Sequence, residues 1–187
     1  LTTKRAIAYA FKDLLKGKAF NKITVNDIAK ECDINRQTFY YHFQDIRDLV
    51  EWTCLDEVDN ILKKKDECER WENKFLLIFE IMKDEKVFVK NIYHSVSSEI
   101  LRNNLYRLVY PIIYDEIVEK SKGKNLREED KKFIADFYKY GFVGIMLEWI
   151  REGMKENIED LVRMMDLTLH DTVTTSIHNF QKNNMEK

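Results

Sequence analysis

Residues 23–49 read ITVNDIAKECDINRQTFYYHFQDIRDL, and three helix starts are written into them. Thr24 stands three residues before Asp27. In that arrangement the threonine hydroxyl accepts from the backbone N–H of Asp27 while the carboxylate reaches back, a capping box. The helix it opens turns Ile28 and Ala29 inward. The run Cys32-Asp33-Ile34-Asn35 ends that helix, because aspartate tolerates the left-handed conformation and asparagine is a favoured N-cap. A second short helix, 36–43, follows at once, and Asp45 caps a third, longer one over 46–65. Its apolar side carries Leu49, Val50, Leu55, Val58, Ile61 and Leu62. Upstream, Ile7, Ala10, Phe11, Leu14 and Leu15 recur at helical spacing through 4–16, and Gly17 stops them. Long helix, short helix, tight turn, short helix and a leaving helix form a helix-turn-helix pattern.

The rest of the chain agrees with an all-α fold. Only five glycines and one proline occur in 187 residues, too few for a turn-dense β architecture. No GxxxxGK[ST] or GxGxxG string is present, which excludes a glycine-rich phosphate loop. Cys32, Cys54 and Cys68 are an odd number with no CxxC pair, so neither a disulfide framework nor a zinc site is expected. No apolar run approaches the ~18 residues of a membrane span, and a reducing cytoplasm is the expected location. Net charge is −2, yet residues 1–50 sum to +3 and the remainder to −5. A basic head on an acidic body is the asymmetry that fits a nucleic-acid partner, although an ordinary solvated surface gives the same numbers.

Residues 36–43, Arg-Gln-Thr-Phe-Tyr-Tyr-His-Phe, carry the functional signal. Phe39 and Phe43 lie four apart and form a buried side, which leaves Arg36, Gln37, Thr38, Tyr40, Tyr41 and His42 for other faces. The N-terminal residues of the second helix of such a motif meet base edges in the major groove. Arginine suits guanine O6/N7 and glutamine suits adenine N6/N7. The hydroxyl and imidazole groups of Thr38, Tyr40 and His42 suit phosphate oxygens, which fix register without reading sequence. Half-buried packing tyrosines and a locally bonded histidine are the alternative.

These residues together resemble the N-terminal domain of TetR-family transcriptional regulators: Ile-Thr-Val-Asn-Asp-Ile-Ala at 23–29, Ile-Asn-Arg-Gln-Thr-Phe-Tyr-Tyr-His-Phe at 34–43, and Asp-Leu at 48–49. Phe137, Gly141, Trp149 and Gly153 are similar to the subgroup related to regulators of dihydroxyacetone kinase operons. The resemblance implies an all-α homodimer on a double-stranded palindromic operator. A helix-turn-helix head, 1–47, would precede a ligand-binding and dimerisation body, 48–187, and a small-molecule effector or partner protein would change operator affinity. DNA contacts would fall to Thr24, Arg36, Gln37, Thr38, Tyr40, Tyr41 and His42. Two positions depart from the family pattern: Asp33 stands where glycine is usual in the turn, and Ile46 where a phosphate-binding lysine is frequent. Arg47 is next to it but ~100° around the helix. A protein-interaction adaptor that kept the fold and binds DNA weakly or only with a partner is the competing reading.

Further helices are expected over 71–82, 84–94, 98–120, 128–151 and 158–180. The 128–151 segment is strongly apolar and holds Gly141 and Gly144, each costing roughly 1 kcal/mol relative to alanine. Close approach of another helix compensates for such a cost. An intramolecular core gives the same pattern, but with the homodimer that the resemblance implies, Gly141, Gly144, Ile145, Met165 and Leu169 are the expected dimer contacts, as half of a two-fold four-helix interface. Pro111 lies inside the 98–120 helix, and Tyr93, His94, Tyr106, Tyr110, Tyr114 and Trp149 gather around it as candidate pocket walls. An ordinary aromatic core gives the same pattern. Enzyme chemistry is not expected: His170, Asp171 and His178 lack any HExxH context, and Ser95, Ser97 and Ser98 near His94 read as loop and cap residues. No metal and no cofactor are implied.

Overall fold

The computed structural model describes residues 2–65, 70–95 and 98–185, without the side chains of Lys65 and His170. Cys68 and Ser97 lie outside the described residues. The described chain is helical throughout: α1 (Thr3–Leu15), α2 (Val25–Glu31), α3 (Arg36–His42), α4 (Ile46–Lys65), α5 (Trp71–Asp84), α6 (Lys86–Tyr93), α7 (Ser98–Lys120), α8 (Glu128–Arg151) and α9 (Ile158–Met185). A 3-10 turn, Phe20–Lys22, occupies the connector between α1 and α2.

The local signals in 23–49 act as their chemistry requires. Thr24 Oγ1 accepts from Asp27 N, and the Asp27 carboxylate accepts from Thr24 N at 2.7 Å, so the capping box is formed. Asn35 Oδ1 accepts from Thr38 N at 2.8 Å, and Asp45 Oδ1 accepts from Asp48 N at 2.8 Å. Asp33 has φ of +54°, the left-handed geometry that lets α2 turn into α3 without glycine. The second motif helix stops one residue short of the expected 43, because Phe43 is extended at φ −140°. At the far end α9 runs five residues past the expected 180.

One apolar core runs through the whole molecule. Ile7, Phe11, Ile28, Phe39, Phe43 and Leu49 hold the first three helices together, and the same cluster continues through Phe79, Phe88, Leu105, Trp149 and Ile177. α4 is the shared beam. Its first turns bury Leu49 and Val50, and its later turns bury Val58 and Ile61. Farther along, α7 lies against both α4 and α8, while α9 packs on α5 and α8. α7 continues through Pro111.

Candidate nucleic-acid interface

α3 is short, and its orientation is fixed from beneath. Phe39 is fully buried and meets Phe43 at 5.8 Å, and Phe43 in turn meets Trp52 of α4. Burying a phenylalanine of this kind contributes about 1.5–3 kcal/mol. That anchor leaves Arg36, Gln37, Tyr40 and Tyr41 exposed, with Tyr41 at 86%, and Thr38 and His42 half-buried. The Arg36 guanidinium lies 5.7 Å from the Tyr40 ring centre and donates to Tyr40 Oη at 3.3 Å. One edge of the fork is thus steadied, and its other N–H groups remain for a bidentate acceptor. Tyr41 and His42 pack edge to face at 5.0 Å.

Two of the candidate contacts have their hydroxyl protons already engaged. Thr24 Oγ1 donates to Asp27 Oδ2 at 2.7 Å, and Thr38 Oγ1 donates to Asn35 Oδ1 at 3.1 Å. Lys18 Nζ ends on the same Asp27 carboxylate at 2.7 Å. These hydrogen bonds, led by Lys18 and then Thr24, hold the Asp27 carboxyl far below the usual carboxylate range. At the start of α4, Asp45 and Asp48 accept from the backbone N–H groups of Asp48 and Gln44, so that terminus already carries its counter-charge. Ile46 is half-buried there, and Arg47 is exposed.

Not all of the head's basic charge faces outward. Arg5 pairs with Asp56 at 2.8 Å, and Lys12 pairs with Glu57 at 2.6 Å and Glu85 at 3.0 Å. Lys12 is only 8% exposed, and its ammonium also lies 5.2 Å from the Phe88 ring centre. Burial alone would lower its pKa, but the hydrogen bonds and charges of Glu57 and Glu85 outweigh that and raise it. Lys22, Lys30 and Arg47 are exposed cations of the head with no ion pair among the described residues, and Arg36 is exposed beside Tyr40. Sequence reading missed the role of Lys12, although its register gave a signal: it follows Ala8 by four and precedes Leu15 by three, on the buried face of α1.

The six residues expected to wall a pocket do not enclose one. Trp149 is 1% exposed in the core and meets Phe79 edge-on at 5.0 Å. Tyr106 and Tyr110 sit on an outer row of α7, where Lys139 of α8 lies over both rings and over Tyr140. Tyr114 stacks on Tyr110 and donates to Glu128, which raises the Tyr114 phenol to about 12. Tyr93 and His94 close the end of α6, apart from that cluster. The cation fills the space that the tyrosines were expected to surround. A cavity of about 60 Å³ lies among α4, α5, α6 and α7, and none of the six lines it; His94 lines a separate opening with Phe20 and Asn91.

Four of the five expected dimer contacts come together. Gly141, Ile145, Met165 and Leu169 line one apolar groove of about 720 Å³ between α8 and α9, and Gly144 is exposed on α8. A Cβ built on Gly141 or Gly144 meets nothing within 4 Å. Packing inside this chain therefore does not explain either glycine. Phe137, Met164 and Leu167 are each more than 60% exposed on the same two helices. Among the described residues no three His, Cys, Asp or Glu are placed to hold a metal ion, and no helix is long and apolar enough to cross a membrane.

An anchored recognition helix, a left-handed turn and a helical body with an unpartnered apolar face define a helix-turn-helix transcriptional regulator. Comparison with known proteins makes the class specific. The family description "Bacterial regulatory proteins, tetR family" matches residues 3–52, and "Transcriptional regulator C-terminal region" of the same family matches 69–171. The chain belongs to the TetR family of transcriptional regulators, whose members are not enzymes. It is 26% identical over 155 residues, 82% of each chain, to the dhaKLM operon transcriptional activator DhaS of Lactococcus lactis. A solved dihydroxyacetone kinase operon activator DhaS aligns with a TM-score of 0.70 at 25% identity, covering 95% of this chain and 97% of the other. A TetR regulator from Streptococcus agalactiae shares the fold at a TM-score of 0.60 and 22% identity, covering 87% and 90%.

Proposed function

We propose that this regulator acts in the cytoplasm as a homodimer on a palindromic operator, with a head at 1–47 and a regulatory body at 48–187. In this reading Arg36 and Gln37 read base edges, while Tyr40, Tyr41, His42 and Arg47 contact the backbone, joined by Thr24 and Thr38 when their hydroxyls turn from Asp27 and Asn35. The observation that carries it is the exposed row Arg36, Gln37, Tyr40 and Tyr41 standing on a fully buried Phe39. Solvent alone gives a seven-residue helix no reason to present that row. The apolar α8–α9 groove and the two unexplained glycines of α8 support self-association through those helices. Two α3 helices then stand about 34–36 Å apart, or a multiple of it. An effector molecule or partner protein shifts operator affinity by favouring one arrangement of the body helices.

The test is an anisotropy titration of DNA upstream of the chain's own gene, at stated salt, against scrambled DNA of equal length. Binding about 10³-fold or more tighter to the upstream DNA is expected. Equal binding to both would contradict the reading. The adaptor reading is favoured by one observation: Ile46 and the already compensated start of α4 supply no lysine for a phosphate. Specific binding that appears only on adding a partner would select it.

A further inference from the structure

The basic residues at the start of the chain are not equivalent. Arg5 and Lys12 are spent on Asp56, Glu57 and Glu85. Lys16, at the end of α1, pairs with Asp13 at 2.6 Å, and Lys18 ends on Asp27. Of the basic residues from Lys4 to Lys18, Lys4 alone has no ion pair among the described residues. Its ammonium lies instead 5.3 Å from the Phe43 ring centre and 5.7 Å from that of Trp52. The first turn of α1 holds no acidic residue, and Thr2 makes no side-chain cap. A lysine in that turn opposes the helix dipole, so α1 itself gives no reason for the charge.

The two rings bring that charge to the junction of α3 and α4. Phe43 directly follows His42, the last residue of α3, and Trp52 meets it from the second turn of α4. A ring face attracts a cation but offers no lone pair, so the N–H donors of the ammonium stay available to oxygen acceptors. Lys4 is half-buried, and a stem already seated on two rings loses less freedom on gaining such an acceptor. The junction has little else to offer an anion. Asp48 and Asp45 already take the N–H groups of Gln44 and Asp48, and Ile46 is uncharged. In the chain, His42 precedes this point and Arg47 follows it, both assigned above to the DNA backbone.

We propose that Lys4 is a further DNA contact, its ammonium donating to a backbone phosphate oxygen beside the α3–α4 junction, with Phe43 and Trp52 as the platform that aims it. The inference deepens the operator-binding reading above and rests on it. It also supplies, from α1, the phosphate-binding lysine that the start of α4 lacks.

The test is a salt titration of the full chain on two duplexes, the DNA upstream of its own gene and a random sequence of equal length. Lys4→Met keeps an apolar stem over the rings and removes the charge, Lys4→Gln removes the charge with a shorter stem, and Lys4→Arg keeps the charge. Both uncharged variants should lower the slope of log K against log salt by about 0.9 per head on either duplex. Raising salt from about 50 to 200 mM then weakens the wild type roughly 3.5-fold more per head than these variants. Lys4→Arg keeps the wild-type slope. Base discrimination on the upstream duplex stays as in the wild type for all three. Uncharged methylphosphonate links, placed one at a time in the upstream duplex, should reveal one position per half-site that weakens the wild type and leaves Lys4→Met unaffected. An unchanged slope, or no such position, overturns the contact. Loss of base discrimination or of the folded state in both uncharged variants makes Lys4 a strut for α3 and overturns it equally. A slope change on both duplexes without preference for the upstream one sinks the operator reading and leaves the contact standing. A wild type that binds neither duplex overturns both.

Discussion

Single residues decide where these helices begin and how they are tied. Asn35 caps α3 through one short bond to Thr38 N, and its loss to alanine costs about 1 kcal/mol. A thermal melt of Asn35→Ala should fall by about 2–4 °C for a chain of this size. Asp130 does a similar task at α8 and adds a long-range tie. It accepts from Arg127 and from Asn184 near the end of α9, 54 residues away in sequence. The Arg127 guanidinium first, and Asn184 after it, pull its carboxyl down to about 2 from an ordinary 3.8. A carboxyl depressed in the folded state stabilises it above its unfolded pKa. The Asp130 contribution is therefore complete above about pH 4 and fades as pH falls toward 2. Urea midpoints measured from pH 5 to pH 2 should drop less steeply for Asp130→Asn than for the wild type. A parallel drop would show that the carboxylate is not responsible.

Individual elements show why part of the sequence was readable and part was not. Caps and stops act locally, so Thr24, Asn35 and Asp45 marked their helices, and Gly153, at φ +84°, ends α8. The apolar stripe of α1 was equally plain, and so was the buried side of α3 at Phe39. Phe39→Ala should cost about 3–5 kcal/mol, whereas Tyr41→Ala, changed at an 86% exposed position, should stay within about 0.5 kcal/mol. Circular dichroism melts separate the two. α7 was harder to read because two rows of it are apolar. Tyr106, Tyr110 and Tyr114 form one row at intervals of four, and Leu101, Asn104, Leu105 and Leu108 form the other. Only the second borders a void, and a void is set by how four helices meet rather than by any one of them. The polar Asn104 within that stripe was the available clue.

At the scale of the whole molecule, head and body share one core and one ionic tie, so the position of α3 is linked to the packing of α4 through α7. The body also holds the exposed apolar face of α8 and α9. An exposed face of that extent marks an interaction surface. Ile145→Glu places a charge there at a position 38% exposed, where the single chain has room for it. Sedimentation should show the wild type as a dimer and Ile145→Glu as a folded monomer, with operator affinity lost along with the second head.

The central claim is that α3 reads bases through Arg36 while neighbouring lysines only hold the backbone. Its most direct test compares the wild type, Arg36→Ala and Lys22→Ala on an operator and on a set of its single-base variants at constant salt. Arg36→Ala should lose about 1–3 kcal/mol of discrimination at one base pair in each half-site. Lys22→Ala should weaken all sequences alike and reduce the salt slope by about one. Equal and small effects from both, or base discrimination untouched in Arg36→Ala, would contradict it.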